Sequence, residues 1–278
     1  MIGRHAQLNL YKELVSRFSR HQIPSLAAEL AYFFLLSLFP FLIFLITLMG
    51  YLPLSTDALL DFIRQYAPGN SMKLIEENVR QVIDTQNGKL LSFSIIASLW
   101  SASNGINAIV RALNRAYDVL ENRHFLIARG MAIILTFAMI FVIVVALLLP
   151  VFGREIGLLI SSAFGFSNLF LSIWNTMRWL LSAIILLIVF TGLYVMAPNQ
   201  RLQLYEVYPG ALFATVGWIV VSLAFSYYVA RFGQFSVTYG SLGGVIVLLI
   251  WFYLSAIIII LGGEINSIIY HRYHHPPS

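Results

Sequence analysis

Charge is scarce in this chain. Only 10% of its 278 residues are charged, while 59% are hydrophobic; a soluble domain of this size carries about 25% charged residues. Too few polar side chains are available to coat a water-facing surface, and the mean hydropathy is +0.83. An ordinary soluble fold is therefore excluded, and an integral membrane protein is expected. Cysteine is absent, which removes disulfides, thiol catalysis and cysteine-based metal sites. No series of short alternating strands separated by turns occurs, so a β-barrel is not expected. Glycine is present, but "YGSLGG" at Tyr239–Gly244 lacks both nucleotide-loop spacings and follows no strand. There is no Ser–Lys or G-x-S-x-G arrangement, and no H-E-x-x-H. The histidines, His5, His21, His124, His271, His274 and His275, are scattered or terminal, and "HRYHH" falls on a tail expected to be flexible. The expectation is a protein that is not an enzyme and has no metal or cofactor.

What is abundant is apolar sequence in runs long enough to span. A spanning helix needs about 20 mainly apolar residues. Six runs qualify, at 27–51, 90–112, 130–152, 177–197, 209–230 and 245–266. They define an all-α membrane protein: one six-span bundle over 25–270, a lead helix over 1–24 and a tail over 271–278. The first run follows a polar lead and no A-x-A cleavage site follows it, so it reads as a span rather than a signal peptide. Between the first two runs, "TDALLDFIRQYAP" and "SMKLIEENVRQVID" place apolar residues three or four apart. The loop 52–89 is thus expected to fold as two short extracytoplasmic helices joined at "APGN" (67–70), with another short surface helix within 153–176. Basic residues weight the side holding Arg4, Lys12, Arg17, Arg20, Arg111, Arg115 and Arg123. That bias predicts both termini in the cytoplasm, in a bacterial inner membrane. In the lead, Tyr11, Leu14, Val15 and Phe18 recur at helical spacing. Such an amphipathic helix lies on anionic lipid or packs on the base of the bundle; the sequence leaves both open.

Ionisable groups inside spans cost about 2.5–3.5 kcal/mol each on insertion scales, so their positions are informative. Glu29 lies near one end of the first run and Glu264 near the end of the sixth, in "LGGEIN". The second run supplies Trp100, Asn104, Asn107, Arg111 and Asn114 at spacings of 4, 3, 4 and 3, which puts all five on one helical stripe. Arg129 enters with the third run. The expected arrangement turns this stripe inward, to meet Glu29 and Glu264. Such a cluster either fixes helix register or lines a polar cavity open to the cytoplasm, where either acid is a candidate proton carrier. Pro40 removes a backbone hydrogen bond from the first span and is expected to kink it, as a hinge or as a fixed bend.

Three stretches, "LAYFFLLSLFP", "LWSASNGINAIVRALNRAYDV" and "YGSLGGVIVLLIWFYLSAIIIILGGEIN", resemble the YihY/BrkB family of bacterial inner-membrane proteins. The resemblance runs over nearly the whole chain from about residue 20. It implies six spans with cytoplasmic termini and places Asn107 and Glu264 on the family's polar motif positions. An older ribonuclease label attached to the family does not suit these residues, because metal-dependent nucleases need clustered His and Asp ligands. The net charge of +5 fits membrane topology without nucleic acid. The expected function is a transporter or lipid-translocating protein acting on an amphipathic molecule with an anionic head. The alternative is a scaffold whose 52–89 loop binds a partner protein in envelope assembly.

Overall fold

The computed structural model describes residues 2–49, 51, 60, 76–77, 79–80, 87–124, 126–137, 168–232 and 242–274. The described residues are helical apart from short connections. In chain order the helices are α1 (Ile2–Arg20), α2 (Ile23–Met49), α3 (Gly88–Ala116), α4 (Leu126–Phe137), α5 (Asn168–Met196), α6 (Leu204–Phe232) and α7 (Gly243–His274). Five of them, α2, α3, α5, α6 and α7, are long and apolar enough to cross a membrane. They coincide with five of the six expected spans. The remaining one, 130–152, is described only as far as Phe137, and the rest lies outside the described residues.

By contacts the chain forms two compact units, Met1–Tyr32 with Ser103–Ser278, and Phe33–Ala102. In the second unit, Asn87 caps α3: its Oδ1 accepts from the Lys89 and Leu90 amides, both at 3.1 Å, satisfying two orphan donors of the first turn. The Glu76–Arg80 ion pair, at 3.2 Å, joins helical residues within the expected outer loop; "APGN" and most of that loop lie outside the described residues. Helix α2 is continuous through Pro40.

The first unit is built on close packing of α6 against α7. A Cβ on Gly210 would fall onto the Gly262 carbonyl and the Asn266 side chain, and one on Gly217 would stand 3.1 Å from Ile258. Small residues are what let two helices approach so closely where lipid supplies no hydrophobic drive. Tyr194 of α5 uses the gap above Gly262 to donate to the Ile259 carbonyl at 2.7 Å. Outward, α6 presents Leu212, Val216, Val220, Leu223 and Tyr227, all exposed at spacings of three and four, as a lipid-facing stripe requires. Arg178 and Arg231 lie over the rings of Trp179 and Tyr227 at 5.9 and 5.4 Å.

Residues 168–176 are the start of α5, and 153–167, where the other surface helix was expected, lie outside the described residues. Two boundaries correct the expectation. The lead ends at Arg20 and α2 begins at Ile23, leaving a two-residue corner in which Gln22 has φ 55°. The histidine tail is not flexible over its first residues: α7 continues through His274, because no helix breaker intervenes before Pro276. Its last turn is held by Tyr270–His274 stacking at 4.2 Å. With 32 residues, α7 is about 48 Å long, against a hydrocarbon core of about 30 Å. If the helix enters the core at Gly243, its surplus length is the polar end that begins near Glu264.

Candidate functional site

Glu13, Arg17 and His21 follow one another at intervals of four, so α1 and the residue just past its end, whose amide still bonds the Arg17 carbonyl at 2.8 Å, carry them on one face. That face packs on α7, leaving Arg17 8% and His21 5% exposed. Tyr11 and Val15, on the other side, are exposed. The lead helix therefore rests on α7 through a mixed face, where Glu13 and Arg17 lie with half-buried Leu14 and Phe18, while Tyr11 and Val15 point out beside Lys12 and Arg20.

Glu264 is fully buried. Its position depends on the two glycines before it. A Cβ on Gly263 would strike Leu113 of α3, and one on Gly262 would meet the Tyr194 hydroxyl. Without side chains at 262 and 263, α7 settles among α3, α5 and α6 with its carboxylate turned toward α1. One carboxylate oxygen lies 2.6 Å from His21 Nδ1 and the other 3.4 Å from Arg17 Nη1. The histidine contact is an ion pair when the imidazole is protonated and a hydrogen bond otherwise. Arg17 also donates to Ser267 Oγ at 3.0 Å, to the Ala116 carbonyl at 3.1 Å and to Glu13 at 3.1 Å. Glu13 in turn pairs with Arg272 at 3.4 Å. The result is a ladder of alternating charge, Arg272–Glu13–Arg17–Glu264–His21, that ties the lead helix to α7.

This corrects the expected partnership of Glu264 with the α3 stripe. Helix α3 contributes only the Ala116 carbonyl, one of the acceptors its C-terminus leaves unsatisfied, which Arg17 and Ser267 both reach. The stripe itself does not form a single inward edge. Arg111 pairs with Glu29, as the spacing predicts, but the two side chains are 52% and 37% exposed. Asn104 accepts from Arg129 at 2.9 Å. Asn107 is half-buried and makes no side-chain hydrogen bond among the described residues. Trp100 is 62% exposed. Only Asn114 is buried, and its partners are Glu121 at 2.8 Å and the Asn199 amide at 2.6 Å.

Around Asn114 the chain closes α3 with a C-terminal cap. The Asp118 amide returns to the Arg115 carbonyl at 3.3 Å and the Val119 amide to that of Asn114 at 3.0 Å. Asp118 has φ 54°, the left-handed residue such a cap needs. The turn throws Val119 and Leu120 back beside the helix. Between them lies an open cavity of about 420 Å³, lined by Arg111, Asn114, Arg115, Asp118, Val119, Leu120 and Glu121. Arg123 fastens the neighbouring corner, donating to the Ala197 carbonyl at 3.2 Å, to the Pro198 carbonyl and to Asn199 Oδ1 at 3.1 Å.

Two more buried groups escaped sequence reading. Glu206, 2% exposed, accepts from the Gln203 amide at 2.7 Å and so caps α6 from its third position; His274 stands 3.6 Å from its other oxygen. Tyr117, just past the end of α3, is 4% exposed, and its hydroxyl has no partner among the described residues. Burial, and then Glu206, Tyr270 and Glu264, push its phenol well above the ordinary tyrosine range. The spacing of Glu13, Arg17 and His21 was a readable signal for the α1 face; nothing in the sequence marked Asn199 or Glu206. Among the described residues no three of His, Asp and Glu gather as metal ligands.

Five long apolar helices define a multi-pass α-helical membrane protein. The profile of the family described as "Virulence factor BrkB" matches residues 14–278, and the chain belongs to that family. It is 62% identical to a ribonuclease-like protein, YfkH, of Bacillus subtilis over 95% of this chain and 96% of that one. It is 25% identical to a UPF0761 membrane protein of Vibrio campbellii, over 95% of this chain and 83% of the relative. A UPF0761 membrane protein of Vibrio cholerae is 27% identical over 96% and 89%. No solved structure matches the chain.

Proposed function

We propose that this protein is a transporter of the bacterial inner membrane, with both termini cytoplasmic, that moves an amphipathic molecule with an anionic head. Glu264 serves as its protonatable gate. The observation that carries this reading is the fully buried Glu264 carboxylate held by Arg17 of α1 and by His21 just past the end of that helix. An acid in that setting is costly, and a helix pair that needed only to stick together would do as well with apolar residues. Adding a proton to Glu264 removes the charge that holds Arg17 and His21, and α1 loosens from α7. The role in this proposal is non-enzymatic, and the ribonuclease-like name belongs to the Bacillus relative.

The test is flux of fluorescent anionic phospholipid between leaflets of reconstituted vesicles. Glu264→Gln should lower the flux at least about tenfold, and Arg111→Ala should lower it less. Unchanged flux across Glu264→Gln, Asn107→Ala and Arg111→Ala would remove the proposed gate. A second reading is favoured by the fact that both Glu264 oxygens are already satisfied: a non-transporting scaffold that binds an envelope protein through residues 52–89. Under that reading, scrambling 52–89 abolishes function in cells while Glu264→Gln preserves it.

A further inference from the structure

We propose that the open cavity at the end of α3 is a binding site for a zwitterionic phospholipid headgroup, phosphate plus primary ammonium. This rests on the cavity, independently of whether the protein transports. Its volume, about 420 Å³, lies within the range of ordinary ligand sites. Its charged groups are of both signs, and they differ in how far they are already engaged.

Glu121 is occupied. Asn114 donates to it at 2.8 Å, the Arg123 amide at 3.1 Å, and the Arg123 guanidinium stands 3.8 Å away. Arg111 spends one terminal nitrogen on Glu29. Arg115 makes a single long bond, 3.4 Å, to the Arg20 carbonyl. Asp118 makes no side-chain hydrogen bond or ion pair among the described residues, and it is exposed. The free capacity of the cavity is thus guanidinium on the helix side and one carboxylate on the cap.

A plain anion placed against Arg111 and Arg115 would face Asp118. A plain cation at Asp118 would face two arginines. A phosphate joined to an ammonium satisfies both at once, and planar guanidinium forks suit phosphate oxygens. The apolar part is supplied by Val119 and by Leu120, which is 81% exposed; an acyl chain running from the headgroup covers it. The cap explains why Asp118 is at the site: its left-handed backbone, which Asp tolerates, directs the chain back so that the acid and Leu120 share one opening. The ligand class is therefore an aminophospholipid rather than a soluble phosphate.

The experiment measures binding of short-chain phosphatidylethanolamine, short-chain phosphatidylglycerol and free phosphoethanolamine to the full-length protein in detergent. The expected order is phosphatidylethanolamine, then phosphatidylglycerol, with free phosphoethanolamine weakest. Asp118→Asn keeps a residue that tolerates the left-handed backbone and removes the charge. It should erase the preference between the two lipids, a change of about three- to fivefold, the scale of one partly exposed charge pair. Asp118→Gly, which suits the cap still better, should do the same, so a folding defect cannot mimic the result. Arg115→Gln should weaken both lipids. The proposal is overturned if neither lipid binds, if the lipid preference survives both Asp118 variants, or if free phosphoethanolamine binds as tightly as the lipid.

Discussion

Two carboxylates, Glu264 and Glu29, each meet an arginine in the same unit of the protein, yet they live in different media. Glu264 is sealed, with side-chain exposure of 1% against 10% for Arg17, while Glu29 and Arg111 stand 37% and 52% exposed. The first pair is held by helix packing that only glycine at 262 and 263 permits. The second is two long side chains meeting at a surface. The comparison teaches that an ion pair's role follows from what surrounds it: remove one partner of the sealed pair and a charge is stranded, remove one of the open pair and solvent or headgroups take its place.

The sharpest way to break that contrast is Glu264→Ala. It strands Arg17 and His21 in a buried site, and the expected loss is about 3–5 kcal/mol, read as a large drop in the unfolding midpoint in detergent. Changing Arg17 and Glu264 together to leucine should recover more than half of that loss, since no buried guanidinium is left without its carboxylate; a strictly additive double variant would show that the pair is not a unit. Gly210→Ala should cost about 2–3 kcal/mol, because its methyl group would fall on backbone that cannot move aside. In the open pair, Arg111→Ala should cost no more than about 1 kcal/mol, and added salt should shrink the effect further. The smallest change is expected for Gln22→Gly, within about 0.5 kcal/mol. Relief of the positive φ at Gln22 is offset there by the greater freedom of glycine in the unfolded chain.

The spans were legible because the bilayer imposes one length on every helix that crosses it, and five described helices have it. The Glu29–Arg111 pair was legible for a related reason: both residues sit where a polar group in an apolar run must find a partner. The partners of Glu264 were not, because they depend on α1 folding back onto α7, and the turn at His21–Gln22 that makes it do so has no glycine to announce it. Helix ends were read short for the same kind of reason. The sixth run is interrupted by polar residues from Glu264 onward, but its backbone has no cause to stop, and α7 goes on to His274. The division of the α3 stripe could not be foreseen from spacing alone. Spacing says which residues share a side of a helix, and tertiary packing decides how far along that side the neighbours extend.

The corner between α1 and α2 acts as a ruler. It has two residues, and the first of them, His21, is clasped by Glu264. One residue inserted between Arg17 and His21 would turn everything before it by about 100°, swinging the guanidinium off the carboxylate and toward the outside. The spacing along this segment is thus more tightly constrained than the identity of most of its side chains: Tyr11 and Val15 tolerate exchange, while a single-codon insertion unhooks the lead from the bundle.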